Sequence, residues 1–311
     1  MRVGWVNDWG SRATVRYSFE YYTRFFQSHD IESEVFSLQK KYDFVFFVKT
    51  YYPDAQALAQ FLKKNGVKVF LFNSVNYYET WGDYPAANVL PSHTENIHKM
   101  TEIVDATINV SPFIKETADK YFPSKNYFIH EPIDINKFRY QKIKRNEPPR
   151  FVFCSTVNKC NALLLIKDVL KRWLEKLQTK LYIISDNDPM LNLTYEFIPW
   201  INDENCASRL SLGDIFLAPR KINSYDFGHS ITKIGQAMSV GIPAIASPLS
   251  SYQTSPATLC KTIEDWNIAI EKHLDIKYWN QQSKKQSQWV KANCSIEVCG
   301  QKLLSIMELY K

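Results

Sequence analysis

Lys233 stands in the stretch SITKIGQAMSVGIPAIASP (230–248), where a helical pattern runs into Gly241 and a short apolar strand follows. A cation in the first turn of a helix opposes the helix dipole, at a cost of about 0.3–1 kcal/mol when exposed. A bound anion reverses that sign, because the lysine and the first-turn amides then neutralise one charge together. The alternative is a solvated lysine on the outer face, opposite a buried stripe of Ile231, Ile234, Ala237 and Met238. Upstream lies RKINSYDFGH (220–229), long against the roughly 2–6 residues usual between strand and helix. It opens on Arg220 and Lys221 and closes on Gly228 and His229. Gly228 allows a ligand close to the backbone, Ser230 is placed to cap the helix, and Gly235 lets that helix pack tightly.

Two further stretches carry groups suited to chemistry. NDWGSRA (7–13) follows the first apolar strand and lacks the GxGxxG spacing of a dinucleotide site. Asp8 is its candidate base, or a turn former; Trp9 and Arg12 are candidate ligand contacts. NSVNYYETWGDYP (73–85) crowds Tyr77, Tyr78, Glu79 and Trp81 into one loop. Such aromatic faces stack on a sugar or base ring, or pack on their own domain. His93 sits near that loop, His130 ends a strand and His229 abuts the Lys233 helix, whereas His29, His98 and His273 read as surface helix residues. The one Asp-x-Asp, at 186–188, precedes Pro189 and reads as a turn, so no metal is expected.

The elements that must position these groups alternate. Strands are expected at 2–6, 43–48, 67–72, 106–111 and 126–130, with helices at 14–29, 53–66 and 112–122. In the helix at 53–66, Leu58, Phe61 and Leu62 read as the buried stripe and Gly66 as the stop. Residues 136–150 are basic, hold a Pro-Pro pair and lack periodicity, which predicts a linker. Alternation then resumes with strands at 150–155, 180–185, 195–200, 214–219 and 242–247 and a helix at 161–177. From about residue 263 the chain reads as helices, the last with Val298, Leu303, Leu304 and Met307 on one face. This predicts an α/β protein of two Rossmann-like domains, at 1–140 and 150–275, with parallel sheets facing a cleft and closing helices at 276–311 that return to the first domain.

Composition agrees. The 311 residues, 45% of them apolar, suffice for two cores, which excludes a disordered chain. A net charge of +6 suits an anionic small molecule, a membrane surface or nucleic acid. No stretch has the ~18 apolar residues of a membrane span, and no secretory signal is visible. Six cysteines without a CxxC pair read as reduced and buried in a cytoplasmic protein, which argues against a zinc site.

The segment 230–248 resembles the donor-binding helix and strand of GT-B glycosyltransferases, most of all family four, which have an early lysine, a run like EAMA and then G-x-P-V-I-A-S. DATINVSPFIKETADKYF, FIHEPIDINKF, SLGDIFLAP and the closing helices resemble further segments of that family in order, over most of residues 100–300. The resemblance implies a glycosyltransferase that moves a sugar from a nucleotide-sugar donor to a glycan or lipid-linked acceptor without metal and with retention. It implies polysaccharide biosynthesis in the cytoplasm, with peripheral membrane contact as a further expectation. Lys233, Asp8 and His229 become the catalytic candidates. Lys159, Arg220, Lys221, Gly228, Ser230, Ile231, Thr232 and Gln236 become the donor-binding candidates. Trp9, Arg12, Tyr77, Tyr78, Glu79, Trp81 and His93 become the acceptor-binding candidates. The chain departs from the family where two glutamates would stand, at Gly228 and Gln236, and where an arginine would stand, at Cys154. DNA remains an alternative acceptor through Lys137, Arg139, Lys142, Lys144 and Arg145. A non-catalytic nucleotide-sugar-binding subunit is the other alternative.

Overall fold

The alternation of apolar runs and helical patterns produces two sheets of six parallel strands each. The computed structural model describes residues 1–7, 15–84, 87–141, 144–200 and 205–311. These fall into two units.

Unit 1 comprises Met1–Pro132, Asn223–Ser230 and Ser295–Lys311. Its strands are β1 (Arg2–Asn7), β2 (Glu32–Val35), β3 (Phe44–Val48), β4 (Lys68–Asn73), a hairpin of β5 (Trp81–Tyr84) and β6 (Ala87–Val89), then β7 (Ala106–Asn109) and β8 (Asn126–Phe128). The sheet runs β2-β1-β3-β4-β7-β8. All five residues of β3 are apolar and buried, because helices cover both faces of the sheet. On one face Trp5 stacks on Phe46 with ring centroids 4.5 Å apart. The C-terminal helix Ile296–Glu308 adds Cys299, Leu303 and Met307 to that face. Val298, expected there, is only half-buried, and Cys299 takes its place.

The apolar stripes differ in detail from the sequence reading. Helix Pro53–Lys64 buries Ala55, Ala59 and Leu62, and Phe61 is 56% exposed. The small alanines let the helix lie close, which turns the larger Phe61 outward. The helix expected at 14–29 opens with a π-helical turn at Arg16–Glu20 before α-helix Tyr21–Gln27.

Unit 2 comprises Ile133–Ile222 and Ile231–Cys294. Its strands are β9 (Phe151–Cys154), β10 (Leu181–Ser185), β11 (Glu196–Pro199), β12 (Ile215–Ala218), β13 (Ala244–Ala246) and β14 (Thr258–Leu259), in the order β11-β10-β9-β12-β13-β14. Helices Lys167–Leu177 and Ile263–Leu274 pack on one face, and helix Thr232–Ser239 on the other. The run expected to be helical from 161 is a 3-10 helix over Val157–Ile166. Its consecutive leucines cannot share one stripe, so Leu164 and Leu165 are left exposed.

The stretch read as a linker is packed on unit 2. Ser239 Oγ donates to the Phe138 carbonyl at 2.5 Å, and Gln141 N to the Val240 carbonyl at 3.1 Å. Arg145 is buried and donates through Nη1 to the carbonyls of His273 and Leu274, at 2.7 and 2.6 Å. The Asp214 carboxylate accepts from the amides of Asn146 and Arg150, at 2.9 and 2.8 Å. Gly241 has φ +94°, and a Cβ there would lie 2.7 Å from the Tyr140 ring.

Candidate functional site

In open parallel sheets, ligands bind beyond the carboxyl ends of the strands. In unit 2, β9 and β12 are neighbours, and each ends at a polar group. Past β12, Arg220 is buried and donates through Nη2 to Ser155 Oγ, just past β9, at 3.3 Å. The Arg220 backbone amide donates to Ser247 Oγ, just past β13, at 2.8 Å. From the first turn of helix Thr232–Ser239, Lys233 reaches back to β9, its Nζ 3.8 Å from Cys154 Sγ. The Cys154 thiol is held below its ordinary range, first by a hydrogen bond with Cys206 and then by Lys233 and Arg220, which together outweigh burial. Two of the predicted donor-site cations thus converge on one strand end.

The surrounding residues sort differently from the expectation. Ile231, rather than Ser230, occupies the N-cap position of the Lys233 helix, and no side chain caps it. Ile231 is also fully buried core, together with Ile234, Ala237 and Met238 as expected. Thr232 and Gln236 are buried, and Lys159 is half-buried past β9. Lys221 is exposed and, with Arg220, lines a separate cleft of unit 2. Gly235 leaves room for Ile133, so the close approach at this glycine is to the 133–141 segment.

The long loop is itself folded. Asn223 Oδ1 accepts from the Asp226 amide at 2.7 Å and caps a one-turn helix, Ser224–Phe227. Within unit 1 this turn packs Tyr225 on Trp81 and Phe227 on Phe113, with centroids 5.5 and 4.9 Å apart. A Cβ on Gly228 would lie 3.3 Å from Ile114 Cγ1, so protein rather than ligand approaches that backbone. His229 packs on Tyr225.

Of the acceptor candidates, Asp8, Trp9 and Arg12 of the first loop lie outside the described residues. Tyr78 is a correction: it is wholly buried, and its hydroxyl accepts from Asn73 Nδ2 at 2.7 Å. Trp81 is 8% exposed, and its Nε1 donates to the Asn76 carbonyl at 2.7 Å. His93 Nδ1 accepts from the Leu90 amide at 3.1 Å and so caps helix Pro91–Ile103. Glu79 pairs with Lys120 at 3.1 Å. Tyr77 keeps a partly open face and meets Tyr51, which in turn lies against Tyr52, with centroids 5.1 and 4.8 Å apart. Tyr51 and Tyr52 follow β3 and were not anticipated, because nothing marks two tyrosines before a helix proline as more than packing. His29 is exposed as expected, whereas His98 is half-buried and donates to the Tyr78 carbonyl at 3.0 Å, and His273 is fully buried.

No family model matches the chain, and no curated protein matches it. Solved structures do. A glycosyltransferase from Rickettsia africae ESF-5 is similar at TM-score 0.67 and 13% identity, over 100% of this chain and 98% of that one. An alpha-glucosyltransferase solved with UDP and a 13-mer DNA containing a central A:G mismatch is similar at TM-score 0.66 and 11% identity, over 99% and 100%. Anabaena HepE in complex with UDP is similar at TM-score 0.64 and 11% identity, over 99% and 100%. The fold is therefore that of GT-B glycosyltransferases, two Rossmann-like domains, as the sequence resemblance implied. Fold alone does not assign chemistry, which has to come from the site.

Proposed function

We propose that the protein is a glycosyltransferase that takes a nucleotide-sugar donor and holds its diphosphate at Lys233 and Arg220. The observation that carries this reading is the approach of Lys233 to Cys154 at the carboxyl end of β9, with Arg220 anchored on Ser155 next to it. As the bond to the sugar breaks, negative charge grows on the leaving phosphate. Two fixed cations, and first-turn amides that have no acceptor within their own helix, stabilise that charge without a metal. Lys159, Thr232 and Gln236 complete the donor contacts, Gln236 through a ribose hydroxyl. His229 and Asp8 stay as candidates for the proton transfers. The acceptor in this reading is a glycan or lipid-linked sugar held by unit 1, with Tyr52 and Tyr77 as stacking faces. Transfer with retention, in polysaccharide synthesis, is the finer expectation.

The DNA alternative has less support. Of its basic residues, Arg145 is buried against backbone carbonyls and cannot follow a phosphate backbone. The test is a panel of UDP-, GDP- and CMP-sugars offered with glycan, lipid-linked and duplex DNA acceptors, read as nucleotide release and product mass. Sugar transfer with any pair supports the reading, and the pair names the substrates. Nucleotide binding without transfer or hydrolysis selects the non-catalytic subunit, and no nucleotide binding at all overturns the site.

A further inference from the structure

A second cleft opens in unit 2, of about 620 Å³, a volume that suits a small-molecule ligand. It lies past the carboxyl ends of β12, β13 and β14, on the face of the sheet that carries helices Lys167–Leu177 and Ile263–Leu274. Lys233 and its helix belong to the opposite face. Three cations line the cleft, Arg220, Lys221 and Lys261, and among the described residues no Asp or Glu does. The nearby Asp265 is engaged in capping its own helix, its Oδ2 accepting from the amides of Lys261 and Thr262 at 2.8 and 2.9 Å. The rest of the lining is largely apolar. Trp266 is buried at the wall, and Ile222 and Ile263 stand 54% and 52% exposed.

This combination selects a ligand class. A hydrophilic anion such as free phosphate has no use for two exposed isoleucines and an indole. A neutral lipid has no use for a lining that holds three cations. A molecule with an anionic head and an apolar chain uses both. We propose that this cleft binds an amphiphilic anion, its head at Lys221 and Lys261 and its chain along Ile222, Ile263 and Trp266. The source is either a soluble amphiphile or a lipid presented by an anionic bilayer, and both carry the same chemistry. The cleft shares Arg220 and Lys221 with the donor candidates, but the test rests on Lys261 and Ile263, which take no part in the donor site.

The test is calorimetric titration of the full chain with dodecyl phosphate below its micelle concentration. Inorganic phosphate and dodecyl maltoside serve as the headgroup and chain controls. Saturable binding of dodecyl phosphate is expected, weakened about tenfold or more by either Lys261→Glu or Ile263→Asp, the scale of a lost charged or apolar contact. Both sites are solvent-facing, and an acid at the first turn of a helix is well tolerated, so both variants should fold and bind UDP as the parent does. Equal dodecyl phosphate binding by both variants overturns the proposal, as does equally tight binding of either control. Sedimentation with phosphatidylglycerol vesicles, but not with phosphatidylcholine, assigns the bilayer as the source. Retained dodecyl phosphate binding without vesicle binding assigns a soluble amphiphile. Loss of UDP binding in the parent would strike the donor reading and leave this result standing.

Discussion

Lys233 Nζ lies 3.8 Å from Cys154 Sγ, across from the strand end where the resembling family has an arginine. The second cation of the site comes instead from Arg220, which sits past the neighbouring strand and is held by Ser155 Oγ at 3.3 Å. A thiol in the arginine's place leaves Lys233 as the cation at the end of β9. Lys233→Ala should therefore weaken UDP or GDP binding by about 1.5–3 kcal/mol, the scale of a charged hydrogen bond. The melting temperature should change little, because a lysine at this helix end does not stabilise the fold. Calorimetric titration checks it, and unchanged affinity would remove Lys233 from the donor site.

How much of this was legible in sequence depends on the kind of signal. The β3 and β12 runs were readable because strands buried on both faces must be apolar throughout. Strand β2, with the sequence ESEV, was not, since an edge strand with two glutamates carries little apolar pattern. The motif around Lys233 was readable, and the resemblance set Cys154 where the family has an arginine, but its contact with Lys233 was not, because a buried cysteine in a strand looks like ordinary core. Likewise, only packing could show that Gly228 answers to Ile114 and that Arg145 of the basic stretch is buried.

Metal dependence is a separate test. In the proposed donor site cations and helix amides neutralise the leaving phosphate, so transfer should persist in EDTA at close to its full rate. A strict requirement for manganese or magnesium, restored on adding the ion back, would show that a metal carries that charge instead.

Removal of the C-terminal helix should damage unit 1 rather than fray an end. A chain ending at Cys294 loses Cys299, Leu303 and Met307 from the core around Trp5 and Phe46. At roughly 1.5–3 kcal/mol for each large apolar side chain, the loss is on the order of 5 kcal/mol, comparable with the whole stability of many domains. Leu303→Ala alone should cost about 2–5 kcal/mol. Urea unfolding followed by tryptophan fluorescence measures both; a truncated chain as stable as the full one would mean that this helix is not part of the core.

Acid should destabilise the protein through two buried histidines. Burial lowers His130 to about 4, helped by the charge of Lys302. Burial also lowers His273 to about 4, opposed by its hydrogen bond to the Ala269 carbonyl and helped by Arg145. Both are neutral in the fold, whereas in the unfolded chain they take a proton near the ordinary 6.5. Between about pH 6.5 and 4 the unfolded state thus binds more protons, so stability falls as pH falls through that window and is unaffected by these groups above it. From pH 7 to 5 the loss is roughly 2 kcal/mol for each histidine, from 1.36 kcal/mol per pH unit over most of that range. Carboxylates titrate lower and contribute mainly below pH 5. Urea midpoints measured from pH 7 to 5 should fall in the parent and fall less in His130→Gln and His273→Gln, least of all in the double variant. Whatever each substitution costs at pH 7, it is the slope that reports the titration. Parallel slopes in parent and double variant would show that these imidazoles are not the groups taking up protons.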